Sequence, residues 1–380
     1  HDNVLQAAYN DSQHYNRQQT HLEIGRRLLK YYAEEGSKRH QYLFGTLKHL
    51  NKSCTLVSEP DERLQLAQLN SQAAQKAKQA GAWEATSRYA EIGLSLLPAN
   101  CWQLHYDLAY LLSLISAECS VISGQHDQAE KLYREVLREA CSKQEKAQVC
   151  LKQMTLLFSQ GKWSAVLVIG EQGLNLCGLS VPNTEQALLM ALDDTEKTLE
   201  KWIADKAINE ISLLPEVHHS LKQTAMGLLA NMGLCSFIIG KAHNTKLYIQ
   251  QALILSYEYG KSDLTALVLA IQAMLKARHE QYSEAVNYGE QALKIMASYS
   301  HCREVSNILN ILALCVMHYQ LPLGQVRKLH QQGYQQGLAV GDTMRAVINL
   351  NSELFLGLSQ GCLLADLGRD AAHCAKITSA

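Results

Sequence analysis

A helix-forming segment restarts along this chain about every 40 residues, and that spacing limits the possible folds more than any other feature. "GAWEATSRYAEIGLSLLP" from Gly81, "GQHDQAEKLYREVLREA" from Gly124 and "GKWSAVLVIGEQGLNLCG" from Gly161 open alike, with a turn residue, small residues and then an apolar helix. "GKAHNTKLYIQQALILS" from Gly240, "QYSEAVNYGEQALKIMAS" from Gln281 and a degenerate start near Leu321 continue the series. One double gap falls near residue 201. There "KWIADKAINEISLLP" supplies a helix for a unit without a turn glycine, and a further unit is expected ahead of the series, from Ser37.

A second register accompanies the first. Two antiparallel helices approach closely where each presents a small side chain, so small residues should recur at a fixed offset. Ala73 with Ala85, Ala117 with Ala129 and Ala273 with Ala285 are twelve apart; Gly233 with Thr245 and Ala313 with Gln325 are weaker members. The unit around Gly161 breaks the rule with Gln153. A lone helical hairpin cannot bury its apolar face, so neighbours must stack. The expectation is an all-α, right-handed superhelix of tetratricopeptide-like helix–turn–helix repeats, with a period of about 40 residues in place of the usual 34.

Composition agrees. Only five prolines occur in 380 residues, and good helix formers dominate. The 35 basic and 36 acidic residues are well mixed, with no basic stripe for nucleic acid. No apolar run reaches the roughly 20 residues that span a bilayer; "LAYLLSLISAECSVI" at 108–122 is interrupted by Ser and Glu. Neither a nucleic-acid nor a membrane partner is expected, and the reading is a soluble, cytoplasmic segment. Eleven cysteines, an odd number without a CxxC, read as reduced thiols; Cys119, Cys150, Cys235 and Cys315 sit within apolar helical patterns.

Chemical signatures are weak. "YGKSD" at 259–263 lacks the first glycine of a phosphate-binding loop, since Leu255 holds that place; Gly260 reads as a helix C-terminus followed by Lys261. His218 and His219 are adjacent and diverge on a helix, and no zinc spacing occurs. "ALDDTEK" at 191–197 reads as a helix-start cluster. Trp102, Tyr106 and Tyr110 lie four apart and read as packing between repeats rather than a ligand-stacking face. No catalytic, metal or cofactor-binding residue is assigned, and the segment is expected not to be an enzyme.

Several stretches taken together resemble one family. "HDNVLQAAY" at 1–9, "HLEIGRRLL" at 21–29, "HLNKSCTLV" at 49–57 and "ERLQLAQLNSQAAQKAK" at 62–78 look like the predicted-ATPase group of bacterial signal-transducing NTPases. "YAEIGLSLLPANCW" at 89–102 and "GYQQGLAVGD" at 333–342 fit too. Asn3 stands where that family usually has arginine, and His219–Ser220 replace a typical Asp-Pro after "LLPEV". The family includes hybrids of serine/threonine kinase, ATPase, tetratricopeptide-like region and sensor histidine kinase. The resemblance implies that residues 1–20 are a junction from an upstream ATPase module and 21–380 the helical-repeat domain. It also implies a switch between a closed ADP-bound and an open ATP-bound form.

The expected partners are that upstream module, a protein or small-molecule inducer, and possible further copies of the chain. Aligning the small residue of each first helix nominates a concave face. Asn70, Glu118, Met274 and Asn310 fall on it, with Arg278 and His318 one turn beyond. The rival expectation is a docking or self-assembly scaffold with no small ligand.

Overall fold

Long runs of helix formers, closed by single left-handed residues, give a chain built from helices. The computed structural model describes residues 14–34, 39–205, 207–299, 302 and 304–378; the stretch "HDNVLQAAY" lies outside them. No strand occurs among the described residues, and the extended pairing they contain is an isolated bridge between Glu216 and Lys261. The chain divides into two compact units, residues 1–139 and 140–380.

In the first unit α1 (His14–Glu34) lies against α2 (Arg39–Leu50), and the 3-10 turn Asn51–Leu56 leads to α3 (Pro60–Gln79). α1 runs unbroken through residue 20. α3 and α4 (Trp83–Leu96) form a hairpin about Gly81. The short α5 (Cys101–Leu104) then precedes α6 (Tyr106–Ile122) and α7 (His126–Glu139), a hairpin about Gly124. α4 packs on α6, and Ala74 of α3, Ala90 of α4 and Leu112, Ile115 and Cys119 of α6 form one core.

The second unit opens on a capped helix, α8 (Lys143–Ser159). Ser142 Oγ accepts from the Glu145 amide at 3.1 Å while Glu145 Oε2 accepts from the Ser142 amide at 2.9 Å. α8 pairs with α9 (Trp163–Leu176); α10 (Glu185–Asp205) and the 3-10 turn Ile208–Leu213 follow. Hairpins then succeed one another: α11 (Ser220–Ile238) with α12 (Ala242–Tyr259), α13 (Asp263–Arg278) with α14 (Tyr282–Ser298), and α15 (Val305–Cys315) with α16 (Leu323–Val340). The last is α17 (Thr343–Ser359) with α18 (Leu364–Thr378) about Gly361.

The turn residue sets the packing register. Gly81, Gly124, Gly161, Gly240 and Gly361 all have positive φ, and Glu280 (φ 61) takes that role ahead of Gln281. Five residues beyond Gly81, Gly124, Gly161, Gly240, Glu280 and Leu321, the side chains of Thr86, Ala129, Val166, Thr245, Ala285 and Val326 are all 0% exposed. Two of the expected pairs are therefore one residue out. Ala85 is half-buried and Gln325 exposed, whereas their neighbours Thr86 and Val326 are sealed. Counted back from Val166, the facing position is Met154 and not Gln153; neither Met154 nor Val166 is small, so the Gly161 hairpin does depart from the rule, with a pliable side chain at the contact.

Successive hairpins lock by knob and notch. A Cβ at Gly93 would lie 2.9 Å from Leu112, and one at Gly173 would lie 2.8 Å from Leu228. Each notch is twelve residues after its turn, and each knob twelve before the next. One helical turn along, Gly170 receives Met232 at 2.6 Å. Gly333 keeps the register against Asn349, and there the knob is polar.

The double gap is not a degenerate hairpin. α9 packs directly on α11 across it, so the hairpins flanking the gap are neighbours. The intervening residues form the single helix α10, which lies along α12, fixed by a Trp202–Tyr257 stack (5.9 Å between centroids) and a Glu196–Lys246 ion pair. The chain returns through Pro215, whose carbonyl accepts from the Lys261 amide at 2.8 Å; Lys261 Nζ donates to the Ser212 carbonyl at 2.5 Å. Gly260 caps α12 as its sequence position implies, with φ 106, and a Cβ there would stand 2.5 Å from Pro215 O. The Asp193–Asp194 pair is not at a helix start. α10 begins at Glu185 behind Thr184, whose Oγ1 accepts from the Ala187 amide at 3.2 Å, and Asp193 pairs with Lys197 along the helix at 2.6 Å.

Candidate functional site

The residues nominated for a concave face divide between the two units. In the first, Asn70 is 0% exposed and locked amide to amide with Asn51 at 2.8 and 2.9 Å, and Glu118 forms an ion pair with Lys78. In the second, Met274 is 5% exposed and belongs to the core, because the first helices there are packed on several sides. Arg278 is exposed over the Phe237 ring at 5.6 Å, Asn310 is half-buried, and His318 is exposed beside Tyr319. Neither Asn70 nor Met274 is available to a ligand.

The aromatic series packs along itself. Trp102, Tyr106 and Tyr110 follow one another at 6.0 Å centroid spacings, and Trp102 Nε1 donates to Glu135 at 3.2 Å. The helix breaks between them at His105 (φ −137, ψ 49), so Trp102 belongs to the separate turn α5. Cys119, Cys150 and Cys235 are buried free thiols, and Cys315 is half-buried. No cluster of three metal-ligating side chains occurs among the described residues. No described helix is long and apolar enough to cross a membrane.

What the first unit offers is a cleft of about 780 Å³ between α4, α6 and α7. Glu91 and Leu94 come from the second helix of one hairpin, and Ser116 and Ser120 from the first helix of the next. The Gly124 turn, Gln125, His126, Asp127, Gln128 and Leu132 close the end. Its floor is explained by the knob register. Ser116 stands eight residues before Gly124, where Met232, the residue against Gly170, stands before Gly240. A methionine fills the contact in one hairpin pair, and the shorter serine holds the same position in the other, where it lines the cleft. Ser116 is 6% exposed and its Oγ has no hydrogen-bond partner, nor has the buried Nδ1 of His126. Sequence reading by small residues passed over Ser116, although its place in the Met232 register marks it.

In the second unit a smaller cleft of about 480 Å³ lies where α10 meets α13 and α14, lined by Glu200, Ile203, Lys276, Glu284 and Tyr288 among others. Its Lys276 and Glu284 neutralise one another at 2.7 Å. Nearer the C-terminus His330 is 0% exposed, its Nδ1 3.0 Å from Asn349 Oδ1, and Asn349 Nδ2 donates to the Ser306 carbonyl at 2.9 Å. Burial holds the imidazole below its ordinary pKa, against the opposing effects of the Asn349 bond and the Glu353 charge. Glu353, 3% exposed, is bound by Arg327 Nε at 2.9 Å.

No protein-family profile matches the chain. Over 166 residues, 37% of this chain, it is 27% identical to the hybrid signal transduction histidine kinase G of Dictyostelium discoideum. The match spans 5% of that protein's length.

Proposed function

We propose that this chain is a non-catalytic regulatory region of a multidomain signalling protein, in which stacked hairpins bind a ligand or protein and control attached modules. The likeness to a hybrid signal transduction histidine kinase supports the signalling context. The regular knob-and-notch stacking supports a tetratricopeptide-like solenoid that continues as a right-handed superhelix. The attached module is an ATPase of the signal-transducing NTPase type, as the sequence resemblance implies, and the region itself requires no cofactor. The observation that carries the reading is the cleft at Ser116, a buried unpartnered hydroxyl where the equivalent hairpin contact is sealed. A ligand there shifts the ATPase only by its difference in affinity between the two states.

The test is ATP turnover by the parent protein's ATPase region with and without residues 21–380. Higher turnover or self-association on removal supports an inhibitory sensor; unchanged turnover sinks it. A docking-scaffold reading has its own support on α17. Met344, Ile348, Phe355 and Leu358 recur at helical spacing and are 40, 40, 71 and 56% exposed, an apolar stripe of the kind that protein partners cover.

A further inference from the structure

We propose that the cleft between α4, α6 and α7 binds a short aliphatic ammonium compound, held by Glu91 and Asp127 at its mouth and by Ser116 at its floor. The assignment rests on the reading of this region as a ligand sensor and names the class of ligand. Three features of the cleft converge on that class.

The first is charge. Glu91 and Asp127 line the cleft, and no lysine or arginine does. Neither carboxylate has a basic partner inside the cleft; Glu91 accepts from the Ser87 hydroxyl at 2.7 Å. Two carboxylates lining one concave surface, with no ion pair to either among the described residues, attract a cation and repel an acid.

The second is the buried polar set. Ser116 Oγ and His126 Nδ1 are both out of water and without a protein partner. A buried hydroxyl left unpaired is destabilising, and an ammonium N–H brought into the cleft satisfies the hydroxyl oxygen. The third is the apolar wall of Leu94 and Leu132, which suits a few methylenes and not a large polar head. The Ser116 register adds an internal comparison, because Met232 closes the equivalent contact in the second unit.

The experiment measures melting temperature and calorimetric binding of the whole chain with 1,4-diaminobutane, 1,4-butanediol and succinate. These probes share a four-carbon chain and differ in charge. The diamine is expected to bind saturably and raise the melting temperature, less so as salt is added; the diol and the diacid are not. Ser116→Met closes the floor and is expected to abolish the diamine effect while leaving helical content intact. Glu91→Gln and Asp127→Asn change exposed side chains, so both variants fold. Each should weaken diamine binding about two- to fivefold, the scale of an exposed ion pair.

Absence of diamine binding overturns the proposal. So does diamine binding that a folded Ser116→Met variant retains, or that neither carboxylate variant weakens. Binding of the diol or the diacid, lost in Ser116→Met, overturns the ammonium assignment while leaving the cleft a ligand site. The ATP-turnover comparison tests the sensor reading separately. Should Ser116→Met fail to fold, the two carboxylate variants decide alone.

Discussion

Cys119, Cys150 and Cys235 are buried between packed helices at 1, 1 and 0% exposure, and desolvation pushes their thiols up to about 12, 11 and 11. Thiolate is the reactive form, so at pH 8 an alkylating reagent should modify the exposed Cys141 of the native chain and spare these three. Mass spectrometry of labelled peptides reads this directly, and equal labelling of Cys150 and Cys141 would contradict it. His330 gives a pH effect of fixed sign. Its native pKa is depressed by burial, so below about 6.5 the unfolded chain takes up a proton that the native one refuses. Stability is therefore fully present above that value and falls as pH drops through the depressed native pKa. Melting curves of His330→Gln should show a shallower loss over that window than the parent chain. The burial of Cys119, Cys150 and Cys235 was legible from their apolar helical settings. The fate of Asn70 and Met274 was not, because a small-residue register fixes helix faces only to within one residue, and one residue turns a side chain by 100°.

Among the elements, the hairpins were legible and the insertion was not. Turn glycines announce a hairpin because few other residues adopt positive φ, and Gly81, Gly124, Gly161 and Gly240 all do so. Glu280 does the same work without a glycine signal, yet its flanking helices kept the period visible. α10 has an ordinary amphipathic pattern and, at 21 residues, a length near half of one repeat, so nothing local distinguishes an added helix from half a hairpin. Its attachment makes a separable prediction. Trp202→Ala removes the stack on Tyr257 but leaves the α9–α11 knobs untouched. Hydrogen exchange should quicken over 185–205 and stay unchanged over 220–238; equal loss in both would mean that α10 is integral to the stack. Gly260→Ala tests the return segment of the same insertion. The added methyl meets the Pro215 carbonyl at 2.5 Å, and φ 106 disfavours any L side chain. The expected cost is about 1–3 kcal/mol, read as a lower midpoint in denaturant, and an unchanged midpoint would show that the 215–217 segment yields freely.

At the scale of the molecule, the division at residues 139 and 140 governs how the chain should unfold. In stacked repeats, stability is a sum of each repeat and its nearest neighbours, so damage spreads only as far as neighbours are coupled. Leu66, 2% exposed, lies in the core of the first unit, and Leu228, 0% exposed, fills the Gly173 notch of the second. Truncating either to alanine leaves a cavity costing about 2–5 kcal/mol. If the units are separate cooperative bodies, Leu66→Ala should speed amide exchange through 39–139 and leave 143–176 and 220–298 at parent rates. Leu228→Ala should do the reverse. Native-state exchange read by mass spectrometry resolves both stretches in one experiment, without assuming a single two-state transition. Uniform acceleration of both stretches by either change would make the chain one cooperative body. A ligand seated at Ser116 would then stabilise residues far from its own hairpins, whereas independent units confine its thermodynamic reach to the first.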